Sequence, residues 1–155
     1  MHVVLIEPEI PSNTGNIVRT CAATNTSLHL VGHLGFSLKD KYLKRAGLDY
    51  WDLAKVYQHK TFEELKAQYP QSNFYFTSKK AAKPYTEVAY AAEDFLVFGK
   101  ETKGLSEALL QENWDNVLKI PKITEARSLN LSNAVAIVLY EALRQQGFNS
   151  GTILE

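Results

Sequence analysis

Cysteine is nearly missing from this chain of 155 residues, where Cys21 stands alone. One thiol cannot form an internal disulfide, and that fits a reducing cytoplasm. An excess of either charge is also missing, because 17 Lys and Arg side chains balance 17 Asp and Glu. Net charge therefore supplies no global attraction to nucleic acid or to an anionic membrane, and any polyanion must be held by local clusters. No apolar run approaches the ~20 residues needed to cross a bilayer, so no membrane span is expected. The first residues enter an apolar run without a preceding basic region or a following small-residue cleavage site, so no signal peptide is expected either. No Gly-x-Gly-x-x-Gly follows the first apolar run and no P-loop signature occurs, which weakens dinucleotide and P-loop readings. The histidines, His2, His29, His33 and His59, are scattered without metal-ligand spacing, so no metal is expected. Ser106 and Ser128 lie outside any nucleophile elbow. Internal repeats and low-complexity segments are absent.

What is present is enough for one compact domain. At this length folding removes roughly 68–70% of the unfolded surface, and an apolar fraction of 45% with 22% charged residues is ordinary for a globular chain. His2 to Ile6 is short, β-branched and continuously apolar, as in a strand covered on both faces. Further strands are expected at Leu28 to Val31, Lys55 to Tyr57, Asn73 to Ser78, Asp94 to Phe98 and Val117 to Ile120. Helices are expected between them. Ser37 to Asp40 and Thr61 to Glu64 have capping-box spacing, Ser106 or Glu107 opens a short helix, and Gly47 and Pro70 act as stops. Alternating strands and helices imply an α/β fold, a mostly parallel sheet with helices on both faces. Ligands of such sheets sit beyond the carboxyl ends of strands. Three loops at those ends are chemically dense: Glu7 to Asn16, Gly99 to Leu105, and Ile120 to Asn133.

The last of these loops runs into an unusual helix. Asn130, Ser132 and Asn133 suit a helix start, and from Ala134 to Leu143 only Tyr140 and Glu141 interrupt an apolar run. A helix apolar nearly all round must be buried nearly all round, which in a chain this short calls for a second subunit. Residues 149–155 after Gly147 read as a tail.

Together the three loops resemble the three motifs of the SPOUT class of RNA methyltransferases. Asn13-Thr-Gly-Asn-Ile-Val-Arg19 looks like the first, Phe98-Gly-Lys-Glu-Thr-Lys-Gly-Leu105 like the second, and Ile120-Pro through Ser128-Leu-Asn-Leu-Ser-Asn-Ala134 like the third. The Glu7-Pro-Glu-Ile-Pro opening, the Arg45-Ala-Gly-Leu-Asp-Tyr50 segment and the minimal length narrow the resemblance to the TrmL (YibK-like) tRNA 2'-O-methyltransferases.

The resemblance covers nearly the whole chain. It implies a single SPOUT domain with no separate RNA-binding domain, a C-terminal trefoil knot, a cytoplasmic homodimer and S-adenosylmethionine as cofactor. Its expected substrate is the wobble nucleotide, cytidine or uridine, of leucine tRNAs. By motif position, Arg19, Asn13, Glu101, Ser128 and Asn130 form the catalytic set, and Phe76, Thr77, Gly99, Ile120, Ser128 and Leu129 hold cofactor. Tyr140 falls at the dimer contact. Lys39, Lys41, Lys44, Arg45, Lys79, Lys103 and Arg127, with Lys80 and Lys83, are candidates for phosphate neutralisation. The alternatives are a sister enzyme acting on another tRNA position or on ribosomal RNA, and a non-catalytic RNA-binding factor.

Overall fold

The computed structural model describes residues 1–39, 41–47, 50–123 and 128–148. Within them lies one six-stranded sheet: β1 (His2–Ile6), β2 (Ser27–Val31), β3 (Lys55–His59), β4 (Phe74–Thr77), β5 (Phe95–Phe98) and β6 (Val117–Leu118), in the spatial order β3-β2-β1-β5-β4-β6. Every named pairing is parallel. The helices are α1 (Pro11–Ala23), α2 (Lys41–Gly47), α3 (Phe62–Gln68), α4 (Glu107–Glu112) and α5 (Leu131–Gln145), with a short 3-10 turn at Trp114–Asn116. The expected parallel α/β architecture is therefore present.

Alternation along each strand sorts the core into two layers. Val3 and Leu5 of β1 and Leu96 and Phe98 of β5 join Ile17, Val18 and Cys21 of α1 and Val135, Val138 and Leu139 of α5. Val4, Phe95 and Val97 point the other way, onto Phe62 and Leu65 of α3 and Leu110 of α4. Burial among apolar side chains pushes the Cys21 thiol up to about 12, so it packs as a small hydrophobe.

Local signals place most helix starts. Thr61 caps α3 by accepting from the Glu64 N–H at 3.1 Å, while Glu64 reaches back to the Lys60 N–H at 2.7 Å. Ser106 caps α4 through the Leu109 N–H, and Pro11 occupies the first turn of α1, where its missing N–H costs nothing. The Ser37 box differs from expectation. Ser37 accepts from the Lys39 N–H in a local turn, α2 begins at Lys41, and Lys39 precedes the helix; Asp40 lies outside the described residues. The last strand is also shorter than expected, ending at Leu118. Gly15 lets α1 and α2 approach closely, since a Cβ there would lie 2.5 Å from that of Ala46.

The scattered histidines are another correction. Parallel neighbours β1, β2 and β3 bring His2, His29 and His59 into a ladder, with His2 Nδ1 3.0 Å from His29 Nε2 and His29 Nδ1 2.9 Å from His59 Nε2. His2 Nε2 lies 3.2 Å from a Glu93 carboxylate oxygen. A carboxylate only accepts, so it orients the chain: each ring donates from Nε2 and, in His2 and His29, accepts at Nδ1. His29 is fully buried. Burial first, and then its two histidine neighbours, lower its pKa to about 3. Burial also lowers the His2 and His59 pKa values below the ordinary imidazole value, so all three rings are neutral at pH 7. Among the described residues no cluster of His, Cys, Asp and Glu has the arrangement to hold a metal.

Candidate active site

Chain order reverses between β1 and β5, which lie side by side, so the loops leaving their carboxyl ends diverge from one place. That is where open α/β sheets bind ligands. The two loops are stitched together. Glu101 Oε2 accepts from the Glu9 N–H at 2.8 Å, and Glu101 Oε1 accepts from the Ile10 N–H and from Asn13 Nδ2, both at 3.1 Å. In the opposite direction Glu9 accepts from the N–H and hydroxyl of Thr102, which holds the Glu9 carboxyl below the usual range. Lys100 pairs with Glu7, and this hydrogen bond raises the Lys100 pKa.

The stitching continues into the third loop. Asn13 Oδ1 accepts from Asn130 Nδ2 at 2.9 Å, and Asn130 Oδ1 caps α5 by accepting from the Ser132 N–H at 2.9 Å. Because the carboxylate must accept from Asn13, both amides have defined orientations along the chain from Glu101 to the start of α5. One hydrogen-bonded line therefore joins all three loops.

These loops enclose a cavity of about 390 Å³, within the ~300–1,000 Å³ range of small-molecule sites. Leu105, Leu110, Ile120, Leu129 and Ala134 give it an apolar wall, and Thr77, Ser78, Asn13 and Ser128 give it polar edges. Gly99 forms part of its backbone floor. A Cβ at Gly99 would lie 2.2 Å from the carbonyl carbon of Gly104, so the Gly99 to Leu105 loop closes only around glycine. Gly104 has φ +69 and open space beside it, a backbone geometry glycine adopts without strain. An apolar slot edged by backbone and hydroxyl groups fits a nucleoside with a charged amino-acid tail, with Lys79 and Lys103 at hand for a carboxylate.

The SpoU rRNA Methylase family model matches residues 1–140 of the chain. This protein belongs to that family. A tRNA (cytidine(34)-2'-O)-methyltransferase of Saccharophagus degradans is 47% identical over 148 residues, covering 95% of this chain and 96% of that protein. A solved structure concerned with 2-OH methylation of C/U34 on tRNA superposes with a TM-score of 0.89 at 41% identity, over 94% of this chain and 95% of the other. The SpoU methyltransferase AviRb of Streptomyces viridochromogenes, in complex with AdoMet, has a TM-score of 0.83 at 25% identity, over 94% of this chain and 60% of its own.

The residues expected at a SpoU-family site divide three ways. Asn13, Glu101, Ser128 and Asn130 meet at the cavity, as do Thr77, Gly99, Ile120 and Leu129. Phe76 does not: the alternation of β4 turns its ring into the core layer of α3 and α4, fully buried and in an edge-to-face pair with Phe62. Arg19 is also apart from the cavity. It is exposed on α1, its guanidinium carbon 4.9 Å from the centre of the Tyr50 ring.

The basic candidates form two groups. Lys79, Lys80 and Lys103 border the cavity, where Lys80 pairs with Glu107; Lys83 donates to the Asp115 carbonyl at 2.8 Å. Lys39, Lys41 and Arg45 are exposed in and before α2. Arg127 and the side chain of Lys44 lie outside the described residues, as does the segment 149–155. Sequence reasoning missed the structural pairs Glu7–Lys100 and Glu9–Thr102. Their only signal was the density of acidic residues before Pro8 and Pro11, which does not identify a partner 93 residues away.

Proposed function

We propose that this chain catalyses S-adenosylmethionine-dependent methylation of the ribose 2'-hydroxyl of the wobble nucleotide, cytidine or uridine 34, in tRNA, with leucine tRNAs as substrates. The carrying observation is the near-full-length likeness to a tRNA (cytidine(34)-2'-O)-methyltransferase. The stitched cavity supports it.

Bound S-adenosylmethionine supplies an activated methyl group, so the protein must align it with the hydroxyl and stabilise the oxygen that attacks. Alignment is worth roughly 7–11 kcal/mol in well-oriented systems. Glu101 serves it structurally: its oxygens already accept three hydrogen bonds, so it orients Asn13 and the entry to α1. Ser128 and Asn130 present polar groups at the cavity mouth. Arg19 is permanently charged and has no acceptor atom. Its role is to stabilise the developing 2'-alkoxide or the adjoining phosphate. Lys39, Lys41 and Arg45, with Lys79 and Lys103, neutralise RNA phosphates.

The active form is a cytoplasmic homodimer of single SPOUT domains, each with the C-terminal trefoil knot implied by the resemblance. In support, α5 buries Val135, Val138 and Leu139 within its own chain while Ile137 and Tyr140 remain 36% and 48% exposed. A partner helix would cover that second apolar face. Dimerisation would also offer Arg19, which sits off its own cavity, to the partner's. Tyr140→Ala should shift the dimer to monomer in micromolar sedimentation runs; an intact dimer would remove Tyr140 from the interface.

The deciding experiment incubates purified protein and methyl-labelled S-adenosylmethionine with leucine tRNA transcripts and maps the label. Label at the 2'-oxygen of nucleotide 34, and none on RNA carrying deoxyribose there, is expected. Label at another position or on ribosomal RNA would replace the substrate assignment. Absence of cofactor binding would favour a non-catalytic RNA-binding factor.

A further inference from the structure

Arg19 is the one expected catalytic residue that does not line the cavity. It follows Asn13 by six positions, so on an ideal helix it lies about 9 Å further along the axis and roughly a third of a turn away in the opposite sense. Among the described residues its side chain makes no ion pair or hydrogen bond. Its guanidinium carbon lies 4.9 Å from the centre of the Tyr50 ring, within the ~6 Å reach of a cation–π contact.

Tyr50 is itself held. Its carbonyl accepts from the N–H groups of Leu53 at 3.1 Å and Ala54 at 2.9 Å. Trp51 and Ala54 of the same turn pack against the core layer that contains α1. The backbone of the turn that carries the ring is therefore anchored, and it sets the ring beside a side chain with four rotatable bonds.

We propose that Tyr50 is the positioning residue for Arg19. A ring face suits this task better than a carboxylate. A carboxylate would engage the guanidinium N–H groups and cancel their charge, whereas an aromatic face steadies the cation and leaves its edge donors open to RNA oxygens. Held this way, the guanidinium loses less rotamer entropy when it meets its anionic target. The inference rests on the role given to Arg19 above and holds whichever subunit's cavity Arg19 serves.

The test separates ring electronics from ring size. Single-turnover methylation of a leucine-tRNA anticodon stem-loop is measured for wild type, Tyr50→Phe, Tyr50→Leu, Arg19→Ala, and chains carrying mono-, di- and trifluorophenylalanine at position 50. Cofactor affinity is measured alongside. Tyr50→Phe should keep the rate within about twofold, and Tyr50→Leu should lower it about two- to fivefold with cofactor affinity unchanged. The rate should fall stepwise as fluorine withdraws charge from the ring face. A flat fluorine series, or a Tyr50→Leu rate equal to wild type while Arg19→Ala abolishes methylation, overturns the inference and leaves Arg19's role standing. If Arg19→Ala itself retains full activity, both fall. Should Tyr50→Leu misfold, the fluorine series decides alone.

Discussion

Acid should destabilise this protein through the histidine ladder. The folded state holds His29 near pKa 3, against 6.5 in the unfolded chain. As pH falls below about 6.5, the unfolded chain takes the proton first and stability declines. The contribution is complete above pH 6.5 and continues to be lost until pH approaches 3. At pH 4.5 the gap corresponds to about two protonation decades, so His29 alone removes roughly 3 kcal/mol, a large part of a typical domain's stability. His2 and His59, also lowered mainly by burial, act in the same direction. The comparison is urea denaturation of wild type and His29→Phe at pH 7.5 and 4.5, at one protein concentration. Removing the ring should cost stability at pH 7.5, because His2 Nδ1 and His59 Nε2 lose their partner. The loss between the two pH values should nevertheless be smaller in the variant by roughly 3 kcal/mol. Equal losses would refute the reasoning, and so would a wild-type His29 ring that titrates near 6.5 by nitrogen NMR. The NMR measurement stands even if the variant does not fold.

Glu101→Gln would keep one acceptor but turn an amide donor toward N–H groups that already donate, so the three loops should separate and methylation fall at least tenfold; a wild-type rate would show that the stitching is dispensable. Gly99→Ala forces a Cβ onto the backbone of Gly104 and Leu105. It should cost more than about 3 kcal/mol in thermal or urea unfolding and weaken cofactor binding, and an unchanged midpoint would mean that the loop shifts freely. Charge reversal at Lys79 and Lys103 should weaken RNA binding and flatten its dependence on salt. An unaltered salt slope would leave those side chains as solvated surface.

The strands and most helix starts were legible in the residues because their causes are local. Continuous apolar runs at His2 to Ile6 and Phe95 to Phe98 allow only strands covered on both faces. Thr61, Ser106 and Asn130 accept from N–H groups two or three positions along. The loops around Asn13, Glu101 and Asn130 were legible because ligands collect at strand ends and because their residue types resemble known motifs. Their mutual bonds were not, since Asn130 and Asn13 are 117 positions apart. Tertiary structure alone decided the rest. Strand adjacency assembled the histidine ladder from positions 27 and 30 apart. The pleat of β4 put Phe76 in the core layer opposite α1 and α5. The turn at Tyr50 came against α1 and gave Arg19 its platform. Sequence determines what each short segment can satisfy within itself, whereas the partner of a buried ring, a carboxylate or a guanidinium is set by which segments the packed core brings side by side.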